Sequence, residues 1–181
     1  MQTYRLVLLT LGTGLACVTA CGSGDDGPVP VSGATTTVAT VSSAAPTAKC
    51  GVDLAAPVIG SAIATLPAEP ITKAPWATDP ASFRGTFDPC ATLSAVIITV
   101  QGATGSSPEQ VLLFHQGDFV GAATRDSHGF TAMDPGRTTH DTVGVTYKTP
   151  GSCNACPDGT ITPVQFHWDG KQVQMIGTPP K

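Results

Sequence analysis

The chain has 181 residues, of which 12% are charged and 41% hydrophobic, with 20 glycines and 16 prolines. This length fits one domain with additional segments, and the surplus of glycine and proline indicates many turns. The formal net charge is -4, and without clustered basic residues the chain offers no surface for the phosphates of nucleic acid.

Residues 1–20 have the features of a lipoprotein signal peptide. Arg5 precedes an apolar run that is shorter than the roughly 20 residues needed to span a bilayer. The run ends in the lipobox pattern, with Val18 three residues before Cys21 and small residues between them. We expect Cys21 to carry a diacylglyceryl group and, after cleavage, an acyl group such as palmitate, because two or more chains give stable anchoring. Cys17 lacks an aliphatic residue at the matching position.

Residues 21–49 are predicted to be a disordered tether. Beyond Cys21 this segment has no aromatic residue and no Leu, Ile or Met, so it cannot bury enough apolar area to offset its chain entropy. Its Ser and Thr residues are candidate sites for O-glycosylation. The folded domain is expected over 50–177, followed by a frayed tail at 178–181.

One helix is predicted at the start of the domain, over 54–66. Asp53 can cap its N-terminus, Pro57 fits its first turn and Pro67 ends it. Apolar residues recur at helical spacing and form one stripe: Ile59, Ala62, Ile63 and Leu66. The proline-rich segment 67–89 is expected to wrap the core, with Trp76 and Phe83 as its anchors.

The stretch from 88 to 124 is predicted to form the centre of the domain. In residues 93–100, apolar residues fall at odd and at even positions. Both faces of a strand formed by this stretch would then be apolar, as in a strand covered on both faces. Strands at 111–114 and 119–123 flank a two-residue turn, Gln116-Gly117. This turn places His115 opposite Asp118, Phe114 opposite Phe119, and Leu113 opposite Val120.

The remaining strands lie nearer the C-terminus. Residues 125–137 are predicted to be a loop, and the alternation over 143–147 indicates a half-exposed strand. A last hairpin is expected to turn at Asp169-Gly170, with Phe166 opposite Val173 and Val164 opposite Met175. The predicted fold class is therefore α+β: mainly an antiparallel β meander of about six strands, with the N-terminal helix packed on the sheet.

The motifs of this central region resemble the LppP/LprE family of lipoproteins from mycobacteria and related actinobacteria. The residues that carry the resemblance are Cys90-Ala91-Thr92-Leu93-Ser94, Gly105-Ser106-Ser107-Pro108, Leu113-Phe114-His115 with Gly117, and Gly121. The likeness covers about 50–177 and includes the lipobox. It implies a membrane-anchored lipoprotein of the actinobacterial cell envelope and brings no established catalytic residues.

Four cysteines remain in the domain once Cys17 and Cys21 are set aside. An even number in an exported domain indicates disulfides. Three connectivities are possible, and we favour Cys50–Cys90 with Cys153–Cys156.

Three catalytic or metal-binding arrangements compete with this interpretation. A hydrolase triad would combine Ser106 or Ser107 with His115 and Asp118, but no G-x-S-x-G motif is present. Redox catalysis by Cys153 and Cys156 would require a following helix. A zinc site would join these cysteines to two histidines, His140 and His167, that lack the usual spacing.

The function expected from the sequence is a cell-envelope lipoprotein anchored to the outer face of the plasma membrane. We expect a non-enzymatic binding or surface-interaction module, without cofactor, metal or catalytic residues. Its partners would be the membrane, through Cys21, and an envelope protein, lipid or glycan. The alternative is an envelope hydrolase or a thiol-dependent enzyme.

The anchor gives the first testable prediction. Mass spectrometry of the purified protein should place the mature N-terminus at Cys21 with the added mass of its acyl chains. The variant Cys21→Ser should lose these chains and leave the membrane fraction, whereas Cys17→Ser should change neither. An unmodified N-terminus away from Cys21 would contradict the assignment.

Overall fold

The structure, a computed structural model, describes residues 49–181. The predicted signal peptide, Cys21 and almost all of the predicted tether therefore lie outside the described residues. Within 49–181, no helix has the length and apolar character needed to cross a membrane.

The described chain forms one α-helix and eight strands. The helix is α1 (Pro57–Thr65), and the strands are β1 (Arg84–Gly85), β2 (Ser94–Thr99), β3 (Glu109–His115), β4 (Asp118–Ala122), β5 (Thr131–Met133), β6 (Thr142–Thr149), β7 (Thr160–Trp168) and β8 (Val173–Ile176). Single 3-10 turns occupy Pro80–Ser82 and Pro135–Arg137.

The strands form two antiparallel sheets rather than the single meander of about six strands. Sheet 1 has the order β1-β2-β3-β4 and sheet 2 the order β5-β6-β7-β8. The broad α+β class and the meander order within each sheet agree with the prediction, but the strand count and the layout were wrong. Strands β1 and β5 have two and three residues, too few for a periodic pattern to be visible in the sequence.

The two central strands of sheet 1, β2 and β3, are buried on both faces. One face packs against α1 in a core that contains Ile59, Ile63, Trp76, Phe83, Phe87, Val96, Ile98, Leu112 and Phe114. The other face packs against sheet 2 in a second core that contains Leu93, Ala95, Ile97, Val111, Leu113, Val143, Val145, Tyr147, Val164 and Phe166. This layering confirms the doubly covered strand predicted from 93–100 and the anchor roles of Trp76 and Phe83.

Helix α1 begins later than the sequence suggested. The carboxylate of Asp53 accepts a hydrogen bond from the backbone N–H of Ala55 and forms a turn before the helix instead of capping it. Pro57 is the first helical residue, a position where its missing N–H costs little. The stripe of Ile59, Ala62 and Ile63 is buried as predicted, and the partly buried Leu66 packs against the same core.

The central hairpin has the predicted turn but a different register beyond it. Gln116 and Gly117 both have positive φ, 48° and 87°, as a type I′ turn requires. His115 pairs with Asp118 and Phe114 with Phe119 as expected. A β-bulge then leaves Val120 unpaired, so that Leu113 lies opposite Gly121. The predicted pairing of Leu113 with Val120 was therefore wrong.

The last hairpin has a longer turn than predicted. The N–H of Asp169 donates to the carbonyl of Gln172 at 3.1 Å, so the turn spans 169–172. Trp168 pairs with Val173 and Phe166 with Met175, which corrects the predicted partners by two residues. A shift of two keeps every side chain on its predicted face, because the side-chain period of a strand is two.

Two glycines provide a matched test of this packing. A Cβ on Gly85, where φ is 151°, would lie 2.2 Å from the carbonyl oxygen of Ala95, whereas a Cβ on Gly60 in α1 would meet nothing within 4 Å. Gly85→Ala should lower the free energy of unfolding by about 2–4 kcal/mol. Gly60→Ala should raise it by about 0.5–1 kcal/mol, because alanine favours the helix. Urea denaturation measures both changes, and equal effects would contradict the close approach of β1 to β2.

Candidate functional site

An apolar groove lies between the segment after α1 and the chain that leaves β4. We call it the Trp76 groove. Its volume is about 310 Å³, and its lining is mostly apolar, with a few polar residues: Leu66, Pro67, Pro70, Trp76, Gln110, Ala122, Ala123, Thr124, Arg125 and Ser127. A concave apolar surface with few polar groups is the usual form of a small-molecule site.

The first wall of the groove is held in place by Trp76. Its indole N–H donates to the carbonyl of Pro67 at 2.8 Å, and the indole is 7% exposed. The backbone of Trp76 forms an antiparallel bridge with Val100, next to the end of β2. The tryptophan therefore ties the proline-rich segment to sheet 1 and leaves its ring at the base of the groove.

The buried carboxylate of Glu69 joins the two walls. Glu69 is 0% exposed. One oxygen accepts hydrogen bonds from the N–H groups of Ile71 and Thr72 and from the Thr72 hydroxyl. The other accepts from the hydroxyl of Ser127 at 2.7 Å. Burial alone would raise the pKa of Glu69, but the bonds from Thr72, Ser127 and Ile71 together lower it below its usual value.

The second wall is the chain that follows β4. The N–H of Ala123 donates to the carbonyl of Val111 at 2.8 Å. The buried amide of Gln110 donates to the carbonyl of Thr124 at 3.1 Å, and the Thr124 hydroxyl donates to the carbonyl of Asp126 at 2.8 Å. These bonds fix the backbone from Ala123 to Asp126 against β3.

Arg125 supplies positive charge at the rim. Its side chain is exposed, and within residues 49–181 its guanidinium makes no ion pair or hydrogen bond. The groove therefore combines an apolar interior with one unpaired cation at its edge.

A second, more polar cavity adjoins the groove and shares Pro70 and Ser127 with it. Its volume is about 700 Å³, and its lining includes His128, Phe130 and Lys148. Phe130 has φ 54°, which is strained for a bulky side chain. Its carbonyl accepts from the N–H of Lys148 at 3.2 Å, and this bond helps to hold the conformation.

Two titratable rings, the half-buried His128 and the buried Tyr147, lie beside this second cavity. The His128 ring meets Tyr147 edge-on, with ring centroids 4.9 Å apart, and burial lowers the pKa of His128. Burial likewise raises the pKa of Tyr147 to about 12, although the Thr124 hydroxyl acts in the opposite direction. Both rings are therefore neutral near pH 7 and serve the packing between the sheets.

A carboxylate at the start of β3 connects the two sheets. Glu109 pairs with Arg84, and it accepts from the N–H of Thr131 at 2.8 Å. Arg84 also donates to the carbonyl of Thr131 at 3.2 Å. Burial raises the pKa of Glu109, and the bonds from Thr131 and Arg84 only partly oppose it.

In the hypothetical triad His115 lies opposite Asp118, but the serine does not reach them. Ser107 precedes β3 and His115 ends it, so they are separated by about 26 Å of extended strand, at about 3.3 Å per residue. The His115 ring nitrogen Nδ1 lies 2.6 Å from the carbonyl oxygen of Thr92. The His115 ring also stacks on Trp168 of β7, with centroids 3.8 Å apart. His115 therefore connects the sheets.

The cysteines of the domain are paired in the structure as favoured from the sequence. Cys50 bonds to Cys90 across a separation of 40 residues, and Cys153 bonds to Cys156. Neither sulfur of the Cys153–Cys156 bond is free to bind zinc in this state. No helix lies between this pair and β7, so the helix N-terminus that redox catalysis would require is missing. No group of three or more His, Cys, Asp or Glu side chains able to hold a metal was found in the part of the chain that the structure describes.

Sequence reasoning missed the residues that build the groove. Glu69 stands as a single acidic residue within a proline-rich stretch, and Arg125 stands beside Asp126 within a polar stretch, where charged residues are ordinarily solvated. Only the folded chain brings Glu69 to Ser127, which lies 58 residues later.

The Glu69 network predicts a pH-dependent stability. Because its pKa is lowered on folding, Glu69 stabilises the fold above about pH 4.3, its ordinary range, and this contribution disappears as pH falls through the folded pKa. Glu69→Gln should therefore cost about 1–2 kcal/mol at pH 7, and the difference from wild type should shrink below about pH 4.

Glu109→Gln is the matched control, because burial raises the pKa of Glu109. The wild type should gain stability relative to this variant as pH falls, the opposite trend. Denaturant titrations from pH 3 to pH 7, a range that extends from about one unit below these ordinary pKa values to about three units above them, measure both trends. A Glu69→Gln difference that does not change with pH would contradict the network.

Comparison with known proteins agrees with the resemblance seen in the motifs. Residues 85–171 match the family model described as LppP/LprE lipoprotein. Lipoprotein LprE of Mycobacterium leprae is 36% identical over 94% of this chain and 88% of its own length. Lipoprotein LprE of Mycobacterium tuberculosis is 32% identical over 90% of this chain and 86% of its own length. No solved structure matches the chain significantly. The identity, sustained over nearly the whole of both proteins, shows that the chain belongs to the LppP/LprE family of lipoproteins.

Proposed function

We propose that the protein is a lipid-anchored lipoprotein of the outer face of the plasma membrane and that it acts as a non-enzymatic binding module. The lipobox at Cys21 supports the anchor, and the family is one of lipoproteins. Two disulfides in a small domain support an oxidising compartment outside the cytoplasm.

The observation that carries the binding role is the Trp76 groove. It is concave and mostly apolar, with a cation at its rim, and these features suit recognition of a partner more than chemistry. The alternative, an envelope hydrolase or a thiol-dependent enzyme, has less support. His115 is engaged by Thr92 and Trp168, and Cys153 is bonded to Cys156.

Photo-crosslinking in intact cells tests the groove as the binding site. The photoreactive residue benzoylphenylalanine should replace Pro67, which is exposed and lines the groove. The matched control is the same residue at Ile161, an apolar position of β7 that is 55% exposed and lies outside the groove. We expect a discrete adduct at position 67, at least about fivefold above that at position 161, a ratio worth about 1 kcal/mol in occupancy. Equal labelling at both positions would contradict the proposal.

The mass of the adduct identifies the class of partner. A protein, a lipid and a glycan differ in mass and in their sensitivity to protease and lipase treatment. The Cys21→Ser variant in the same experiment shows whether the partner is reached only from the membrane.

A further inference from the structure

We infer that the Trp76 groove binds a single-chain anionic amphiphile, with the apolar chain inside the groove and the acidic group on Arg125. This inference rests on the proposed function, because it names the ligand class of the same groove. Four features of the lining support it.

The first feature is that the uncharged polar side chains of the lining already have hydrogen-bond partners within the protein. The Trp76 N–H is bonded to Pro67, and the Gln110 amide is bonded to Thr124 and to the N–H of Val111. The hydroxyl of Ser127 is bonded to Glu69. A glycan would need several free donors and acceptors to replace the water lost from its hydroxyls, and these side chains offer few.

The second feature is the apolar character of the interior. Leu66, Pro67, Ala122 and Ala123 line it together with the ring of Trp76. Such a surface binds hydrocarbon through the hydrophobic effect, at about 25 cal/mol per Å² of apolar surface removed from water.

The third feature is size. The volume of about 310 Å³ is at the small end of the range of about 300–1,000 Å³ for ligand sites. It therefore suits one chain better than two.

The fourth feature is charge. Arg125 is the one charged residue in the groove lining, and it makes no side-chain contact to an acidic group anywhere in 49–181. The carboxylate of Glu69 beneath the groove is buried and fully bonded, and Asp126 lines the second cavity rather than this one. A guanidinium at the mouth of an apolar groove binds a carboxylate or phosphate well, because its donors can form two parallel hydrogen bonds.

Fluorescence of Trp76 can report binding directly. The chain has two tryptophans, and the other one, Trp168, stacks on His115 away from the groove. In a Trp168→Phe background Trp76 is the sole tryptophan. The complete mature chain from residue 21, with Cys21→Ser to keep it free of lipid, is titrated below the micelle concentration. Circular dichroism first confirms that each variant is folded.

The probes share one twelve-carbon chain and differ in head group: dodecanoate, dodecanol and dodecyltrimethylammonium. Dodecanoate should bind saturably and at least about tenfold more tightly than the cationic probe, the ratio expected for one charged contact at a partly exposed site. Arg125→Glu should weaken dodecanoate about tenfold and abolish the preference. Lys171→Glu, which makes the same charge change on the distant turn 169–172, should leave the affinity unaltered. Ala122→Phe should block all three probes.

The outcomes separate the two proposals. Equal binding of the three probes, unaffected by Arg125→Glu, would overturn the anionic ligand and leave the groove as an apolar site. Absence of binding by every probe would overturn the amphiphile as ligand and leave the groove as a site for another partner. Binding unaffected by Ala122→Phe would show that the probes bind outside the groove, and would also overturn the inference. If acetate competed for the groove as strongly as dodecanoate does, the requirement for an apolar chain on the ligand would be overturned. Binding to anionic phosphatidylglycerol vesicles without a change in Trp76 fluorescence would show docking on a membrane surface instead, and would also overturn the inference.

Discussion

The fold depends on burying the β2–β3 strand pair on both faces. Val96, Ile98 and Leu112 face the helix layer, while Ile97 and Val111 of the same strands face sheet 2. A strand pair with consecutive apolar residues that point to both faces is stable in water only when two separate layers cover it. The helix, the proline-rich segment and the whole of sheet 2 supply this cover, and their positions follow from it.

The sequence predicted the features that arise from local pattern. The doubly apolar run at 93–100, the Gln116-Gly117 turn and the stripe of α1 each depend on residues close together in the chain. The division into two sheets depends instead on where β5 pairs, and its three residues carry no periodic signal. The bulge at Val120 and the four-residue turn at 169–172 are further cases, because turn length is decided by hydrogen bonds that several turn types can satisfy.

The groove could be predicted even less well than the fold. Its walls come from segments 66–76 and 122–127, which the sequence marks only as proline-rich or polar. The side chains that looked chemical have structural roles: His115 stacks between the sheets, and Cys153 and Cys156 close a loop. The side chain that shapes the groove, Glu69, looked like an ordinary surface carboxylate. Long-range hydrogen bonds decide these roles, and the order of residues in the chain does not reveal them.

The connection between the two sheets is also one wall of the groove, and this double use has an evolutionary consequence. Residues 123–130 carry the chain from β4 to β5, and their backbone is held by Gln110 and Val111. Substitutions there would disturb the placement of sheet 2 together with the groove. The opposite rim, Leu66, Pro67 and Pro70, is exposed or half-buried and links no strands. Related proteins can therefore diverge in what the groove accepts mainly through the residues just after α1, while the crossing segment stays constrained by the architecture.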